Sequence, residues 1–181
     1  GLFLDFAGGY GLLTRMLRDE GFNFYRQDPY CENIFARGFD FDDLPKANPT
    51  FQMVTAFEVF EHLSDPLPVI KKILDISDVL LFSTELIPEN DIDTWWYLGL
   101  NTGQHVSFYT VDSLEEIAKR NQALFYSDKK SVHMFVKNGC IKDPFISKFF
   151  LQRWFEHRQA QAKKKKMVSL LPKDVADAFL K

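Results

Sequence analysis

The side chains best suited to chemistry fall in two short stretches. In Phe57-Glu58-Val59-Phe60-Glu61-His62-Leu63, two carboxylates and an imidazole stand at i, i+3 and i+4. That spacing predicts one shared helical face. Such a trio can ligate a divalent ion, although acids near a helix N-terminus are also favoured by the dipole alone. The expectation taken is no metal; should one bind, Glu58, Glu61 and His62 are its candidate ligands. The second stretch is Gly103-Gln104-His105-Val106-Ser107-Phe108-Tyr109-Thr110. His105 there can take a proton from a hydroxyl or an amine, or it can hold its loop by hydrogen bonds. Trp95, Trp96 and Tyr97 precede it and are expected to roof an acceptor pocket. His133 falls on a predicted strand as a structural residue, and His157 is expected at the surface.

Something must position these groups. Leu2 to Leu4 read as a short buried strand, followed by the turn Ala7-Gly8-Gly9-Tyr10-Gly11 and a helix from Leu12. Glycines let a backbone adopt positive φ and come close to a ligand. Asp5 stands at the strand end, just before them. Gly21 predicts the helix C-terminus. A second strand, 22–27, runs into Asp28, whose carboxylate could accept two hydrogen bonds from a ribose diol or cap a turn before Pro29. An acidic break holds Asp40 and Phe41. Further strands are predicted at 51–57, 78–84, 124–126 and 132–136. Helices are predicted over 58–63, from an N-cap at Ser64 or Asp65, and over 111–120. Strands alternating with helices predict a doubly wound, mostly parallel α/β sheet, which binds ligands at the carboxyl ends of its strands.

Composition narrows the function classes. The chain has 181 residues, 46% hydrophobic, with 19 Phe and a formal net charge of −3. This fits a globular core and offers no basic field for nucleic acid. Cys31 and Cys140 lack metal-ligand spacing and read as reduced thiols, so a cytoplasmic location is expected. No apolar run is long enough to span a bilayer, and no signal peptide is visible. The chain opens on a strand without a Met, so residues upstream are expected to be missing. The core is expected over 1–140 and a helical extension over 141–181. That extension would carry an amphipathic helix from Phe145 to Phe155 and the solvated run Lys163–Lys166.

Leu4-Asp5-Phe6-Ala7-Gly8-Gly9-Tyr10-Gly11 resembles motif I of the class I S-adenosylmethionine (SAM) dependent methyltransferases, with Ala7 in place of the first glycine. Glu58 to Leu63 resembles the E-H-L segment after the family's fourth strand. Residues 105–110 resemble the H-x-x-F-[FY]-[TS] segment of a broad bacterial subgroup acting on small molecules or saccharides. The resemblance covers about residues 1–137. It implies a seven-stranded sheet ending in a hairpin, and SAM as cofactor, leaving S-adenosylhomocysteine. It implies SAM contacts from Asp5, Ala7, Gly9, Gly11, Asp28 on the ribose, Asp40 and Phe41 on the adenine, and Phe57 and Glu58 beside the methionine part. His105 would be the catalytic base for methyl transfer to O or N. Two alternatives stand beside this: a non-catalytic SAM-fold module serving a partner, and an NAD(P)-dependent oxidoreductase, disfavoured by Thr14 and Asp5.

Overall fold

The computed structural model describes residues 1–45, 48–145 and 168–178, and they form two compact units. The predicted helix at 145–155, His157 and Lys163–Lys166 lie outside the described residues, except for Phe145. Among the described residues, no helix is long and apolar enough to cross a membrane.

The first unit comprises residues 1–51 and 143–181. Strand β1 (Leu2–Phe6) leads through the glycine turn into helix α1 (Leu12–Asp19), and β2 (Asn23–Gln27) pairs parallel with β1. The predicted helix stop is realised at Gly21. Its φ is +89°, its N–H donates to Arg18 O, and Phe22 N–H donates to Leu17 O. These two bonds satisfy carbonyls the last turn would leave bare. Beside β2 the chain makes a single parallel bridge, Asp40 to Arg26. Helix α4 (Leu171–Ala178) ties into this unit through Asp174. Its carboxylate receives Arg18 Nε at 2.8 Å and Arg18 Nη2 at 2.7 Å, and both side chains are 4% exposed. The Arg18 guanidinium also lies over the Phe39 ring, 3.5 Å from its centroid.

The second unit runs from 52 to 142. Strands β3 (Met53–Phe57) and β4 (Val79–Ser83) pair in parallel, with α2 (Pro66–Ile76) between them in sequence. Asp65 occupies the N-cap and Pro66 the first helical position. Helix α3 (Val111–Arg120) starts at a capping box, where Thr110 Oγ1 accepts from Ser113 N–H at 3.2 Å. Then β5 (Ala123–Ser127) and β6 (Val132–Lys137) form an antiparallel hairpin, and β6 also pairs antiparallel with β4. The order within this unit is β3-β4-β6-β5. Val79, Leu80 and Phe82 are buried, as a strand covered on both faces requires. Phe82 packs on Phe60 and Phe135, and Ile70, Ile73 and Leu114 are buried in the same unit. Six strands lie among the described residues.

One prediction did not hold. Residues 58–63 form no α-helix, only a single 3-10 turn at Phe60–His62. Glu58 adopts φ +52°, which stops any helix from running through it. Phe60, fully buried and stacked on Phe82 at 4.4 Å, pulls the short turn into the core.

His133 on β6 is structural, as expected. It is fully buried; its Nε2 lies 3.0 Å from Thr84 O and its Nδ1 2.8 Å from Ser127 Oγ. A carbonyl only accepts, so Nε2 carries a hydrogen. Burial pushes its pKa down from 6.5, against the pull of the Thr84 carbonyl and Asp128. Just below 6.5 the unfolded chain therefore binds a proton that the folded chain refuses. Stability should be full above pH 6.5 and fall as the pH drops through the folded value. Urea midpoints measured across about pH 5–7, where histidine titrates, should show this slope, and His133→Gln should flatten it.

Candidate functional site

The glycine turn is held from behind. Asp5 is buried, and a Cβ built on Gly8 would sit 2.5 Å from its Oδ2. Glycine is required there by close approach. At Gly11 the same test meets Asn33 Oδ1 at 2.6 Å. Gly9 differs. Its φ is +53°, and a Cβ there would meet nothing within 4 Å. One face of the turn therefore looks onto open space, as a ligand cradle requires. Ala7 also adopts a left-handed conformation, φ +53°, where the sequence pattern would place glycine.

Asp28 makes the turn cap weighed for it, and also binds the glycine turn. Its Oδ1 accepts from the N–H groups of Tyr30 (2.8 Å) and Cys31 (3.0 Å), which is an Asx-type turn. Its Oδ2 accepts from Gly9 N–H at 2.9 Å, fastening the end of β2 to the glycine turn. An ionised carboxylate has about four acceptor positions, so about one remains for a ligand hydroxyl. Asp40 is likewise engaged: Oδ1 receives Arg26 Nε at 2.7 Å, and Oδ2 receives Asn33 Nδ2 at 3.0 Å. Phe41 packs against Phe51, with ring centroids 6.1 Å apart.

Sequence reasoning missed Arg26. It is 3% exposed, and its guanidinium donates to Gly9 O, Cys31 O (2.9 Å), Asp28 O (3.4 Å) and Asp40. Within the strand Phe-Tyr-Arg-Gln no local pattern marks it out. The available signal was its place between a glycine turn and two acids.

In the second unit, Glu58 does not share a face with Glu61 and His62. Its carboxylate turns to the end of β4, where Oε1 accepts from Ser83 Oγ at 2.5 Å and Oε2 from the Tyr97 hydroxyl at 3.1 Å. The left-handed Glu58 backbone sends its side chain away from the turn that follows. Beside it, Phe57 is 37% exposed. The aromatic trio is also split. Trp96 is 74% exposed and Tyr97 1%, while Trp95 packs on Tyr97 and Phe108. Trp96 and Tyr97 lie on a 3-10 turn, Trp96–Leu98, which sends consecutive side chains about 120° apart. Burial pushes the Tyr97 hydroxyl far above its ordinary pKa, so it remains a donor.

What the structure does bring together is Glu61, His62 and His105, one ligating atom of each lying within 4.8 Å of the others. His62 Nδ1 is 3.0 Å from Gln104 O, and His105 Nδ1 is 2.5 Å from Tyr97 O. The two rings meet edge to face, with centroids 4.9 Å apart. Glu61 is fully buried, with neither carboxylate oxygen hydrogen-bonded. Burial pushes its pKa up, and Glu58 adds to this. Its own N–H, the Tyr97 hydroxyl and His62 pull the other way without completing a hydrogen bond to the carboxylate.

A family profile described as a methyltransferase domain matches residues 1–123. No curated protein sequence matches. Among solved structures, the chain is similar to magnesium protoporphyrin IX methyltransferase from Synechocystis PCC 6803 with bound SAH: TM-score 0.53, 13% identity, covering 76% of this chain and 74% of that one. It is similar to a SAM-dependent methyltransferase from Thermotoga maritima, a possible histamine N-methyltransferase: TM-score 0.57, 12% identity, covering 76% and 83%. It is also similar to an O-methyltransferase from neocarzinostatin biosynthesis in complex with SAM and 2-hydroxy-5-methyl naphthoic acid: TM-score 0.57, 13% identity, covering 76% of this chain and 49% of that one. These likenesses show the fold, a Rossmann-like α/β methyltransferase sheet.

Arg26→Lys keeps the charge but cannot fork to four acceptors. It should lower the unfolding free energy by about 1–3 kcal/mol, the usual cost of stranding buried acceptors. Arg37 pairs with Glu32 in the open, with side chains 72% and 73% exposed, and Arg37→Ala should stay within about 0.5 kcal/mol. Chemical denaturation of the two variants checks the contrast.

Proposed function

Because the chain belongs to the SAM-dependent methyltransferase family, we propose that it methylates an O or N atom of a small-molecule or saccharide-type acceptor. The family match carries the reading, and the Gly9 cradle fits the cofactor: its backbone is left-handed and open on the side where a Cβ would lie. SAM, when bound, supplies a methyl group already activated on a sulfonium. The protein's part is binding and orientation. In this reading Gly9 and Gly11 shape the cradle, and Asp5 and Ala7 set its path. Asp28 spends its remaining acceptor position on a ribose hydroxyl. Asp40 and Phe41 serve the adenine side, and Phe57 and Glu58 the methionine side.

On the acceptor side, His105 keeps a lone pair on Nε2, because its Nδ1 donates to the Tyr97 carbonyl. That pair suits it to take a proton from an acceptor hydroxyl or amine. The exposed Trp96 ring offers apolar surface for the acceptor.

The test uses labelled SAM with a panel of acceptors, and calorimetry for SAM binding. Gly9→Ala should fold, since its Cβ meets no protein atom, yet lose SAM affinity. Unchanged affinity would remove the turn from the site. His105→Ala should keep SAM affinity and lower kcat by about 10²–10⁴-fold. Trp96→Ala should act mainly on acceptor KM.

A further inference from the structure

Glu61 poses a problem that methyl transfer does not answer. Its carboxylate is 0% exposed, and neither oxygen has a hydrogen-bond partner. A bare buried carboxylate is costly, so the group calls for a proton or a cation. The nearest side chains favour the cation. His62 Nδ1 faces the Gln104 carbonyl and His105 Nδ1 faces the Tyr97 carbonyl. A carbonyl cannot donate, so each Nδ1 carries the hydrogen and each Nε2 keeps a lone pair. Metal-ligating histidines are commonly oriented in this way, the second ring nitrogen fixed by a backbone oxygen. The backbone holds the group together as well. Glu61 O accepts from Val106 N–H at 2.8 Å and Ser107 N–H at 3.1 Å, pinning the His105 loop to the residue that carries the carboxylate.

We propose that Glu61, His62 and His105 bind one divalent transition-metal ion. Two donors at about 2.1 Å from an ion can lie up to about 4.2 Å apart. His62 Nε2 and Glu61 Oε1, at 3.8 Å, fit as they stand. The widest pair in the set, within 4.8 Å, closes by a small side-chain rotation. Two imidazoles with one carboxylate suit zinc, iron, cobalt or manganese rather than the all-oxygen shells of magnesium and calcium. The His62 side chain is 40% exposed, which gives the ion a way in. Three protein ligands leave coordination positions open. Ion binding does not depend on methyl transfer. Its bearing on catalysis does rest on that reading: the His105 lone pair takes a proton in the ion-free protein and is held by the ion when one is bound. The expected trio Glu58, Glu61 and His62 is thereby revised, with His105 replacing Glu58, whose carboxylate is occupied by Ser83 and Tyr97.

The experiment strips the full chain with chelator and titrates it with Co²⁺, reading the visible absorption of the bound ion, with Zn²⁺ as competitor. SAM binding is measured by calorimetry on the same metal-free protein. One equivalent of Co²⁺ should bind and be displaced by Zn²⁺. Glu61→Gln and His62→Ala should each weaken Co²⁺ by more than the about 10–100-fold that outer-shell changes cost. His62 is at the surface, so His62→Ala carries the test if Glu61→Gln does not fold. Wild-type affinity in the folded variants, or no binding by the wild type up to about 1 mM, overturns the site. SAM binding without Co²⁺ binding overturns the metal and leaves the methyltransferase reading standing. Co²⁺ binding without SAM binding supports the metal site and counts against that reading.

Discussion

The guanidinium of Arg26 is the point on which the cradle depends. Four acceptors from three chain segments converge on it: the Gly9 carbonyl of the turn, the carbonyls of Asp28 and Cys31 after β2, and the Asp40 carboxylate. Backbone carbonyls in a non-repetitive turn have no ladder to satisfy them. A planar five-donor fork answers several at once, which an ammonium cannot. Asp28 complements it by accepting the N–H groups that the same segments leave over. Donors and acceptors of the loops are thus settled by one buried cation and one half-buried anion, and the Gly9 face is left free for something else. The glycine turn is open because its hydrogen bonds are completed from behind.

Two of the strands that pair in parallel, β1 and β3, end in the same unusual way. Ala7 after β1 and Glu58 at the end of β3 both sit at φ near +50° with side chains larger than glycine. A left-handed residue at a strand's end turns the chain sharply out of the sheet, at about 1–2 kcal/mol for a residue with a Cβ. At Ala7 the turn leads straight into the cradle. At Glu58 it frees the carboxylate to meet Ser83 and Tyr97, and it sets the short turn that presents Glu61 and His62. Strain of this kind, at strand ends where ligands bind in such sheets, fits sites whose geometry is imposed by the surrounding fold.

Much of this was legible in the sequence. The β1–turn–α1 unit, the Gly21 stop, the Asp65-Pro66 start, the extent of α3 and the closing hairpin all follow from local rules of periodicity, capping and φ. The failures share one cause. Residues 58–63 have the spacing of a helix face, but one left-handed residue decides their geometry, and its partners, Ser83 and Tyr97, lie 25 and 39 positions away. Arg26 is invisible for the same reason, since its acceptors come from loops with no periodicity. Trp95, Trp96 and Tyr97 read together as the roof of one pocket because a linear stretch does not reveal a 3-10 turn. Their side chains end in three environments, and only Trp96 is largely open to solvent.

The pairing of Arg18 with Asp174 also bears on the order in which the molecule can be assembled. The two residues are 156 positions apart, while the second unit is a single uninterrupted stretch from 52 to 142. That stretch can find its contacts as soon as it leaves the ribosome. The first unit cannot, because its opening segment waits for a counter-charge that lies 156 positions after Arg18. Closing so long a loop is entropically slow, and until it happens a guanidinium packed on Phe39 has neutral acceptors, Asn23 and the Phe24 carbonyl, but no anion from α4. The half that carries the glycine cradle is therefore the last to mature, and a nascent chain halted before residue 174 has its later-folding portion in hand but not the charge that locks it.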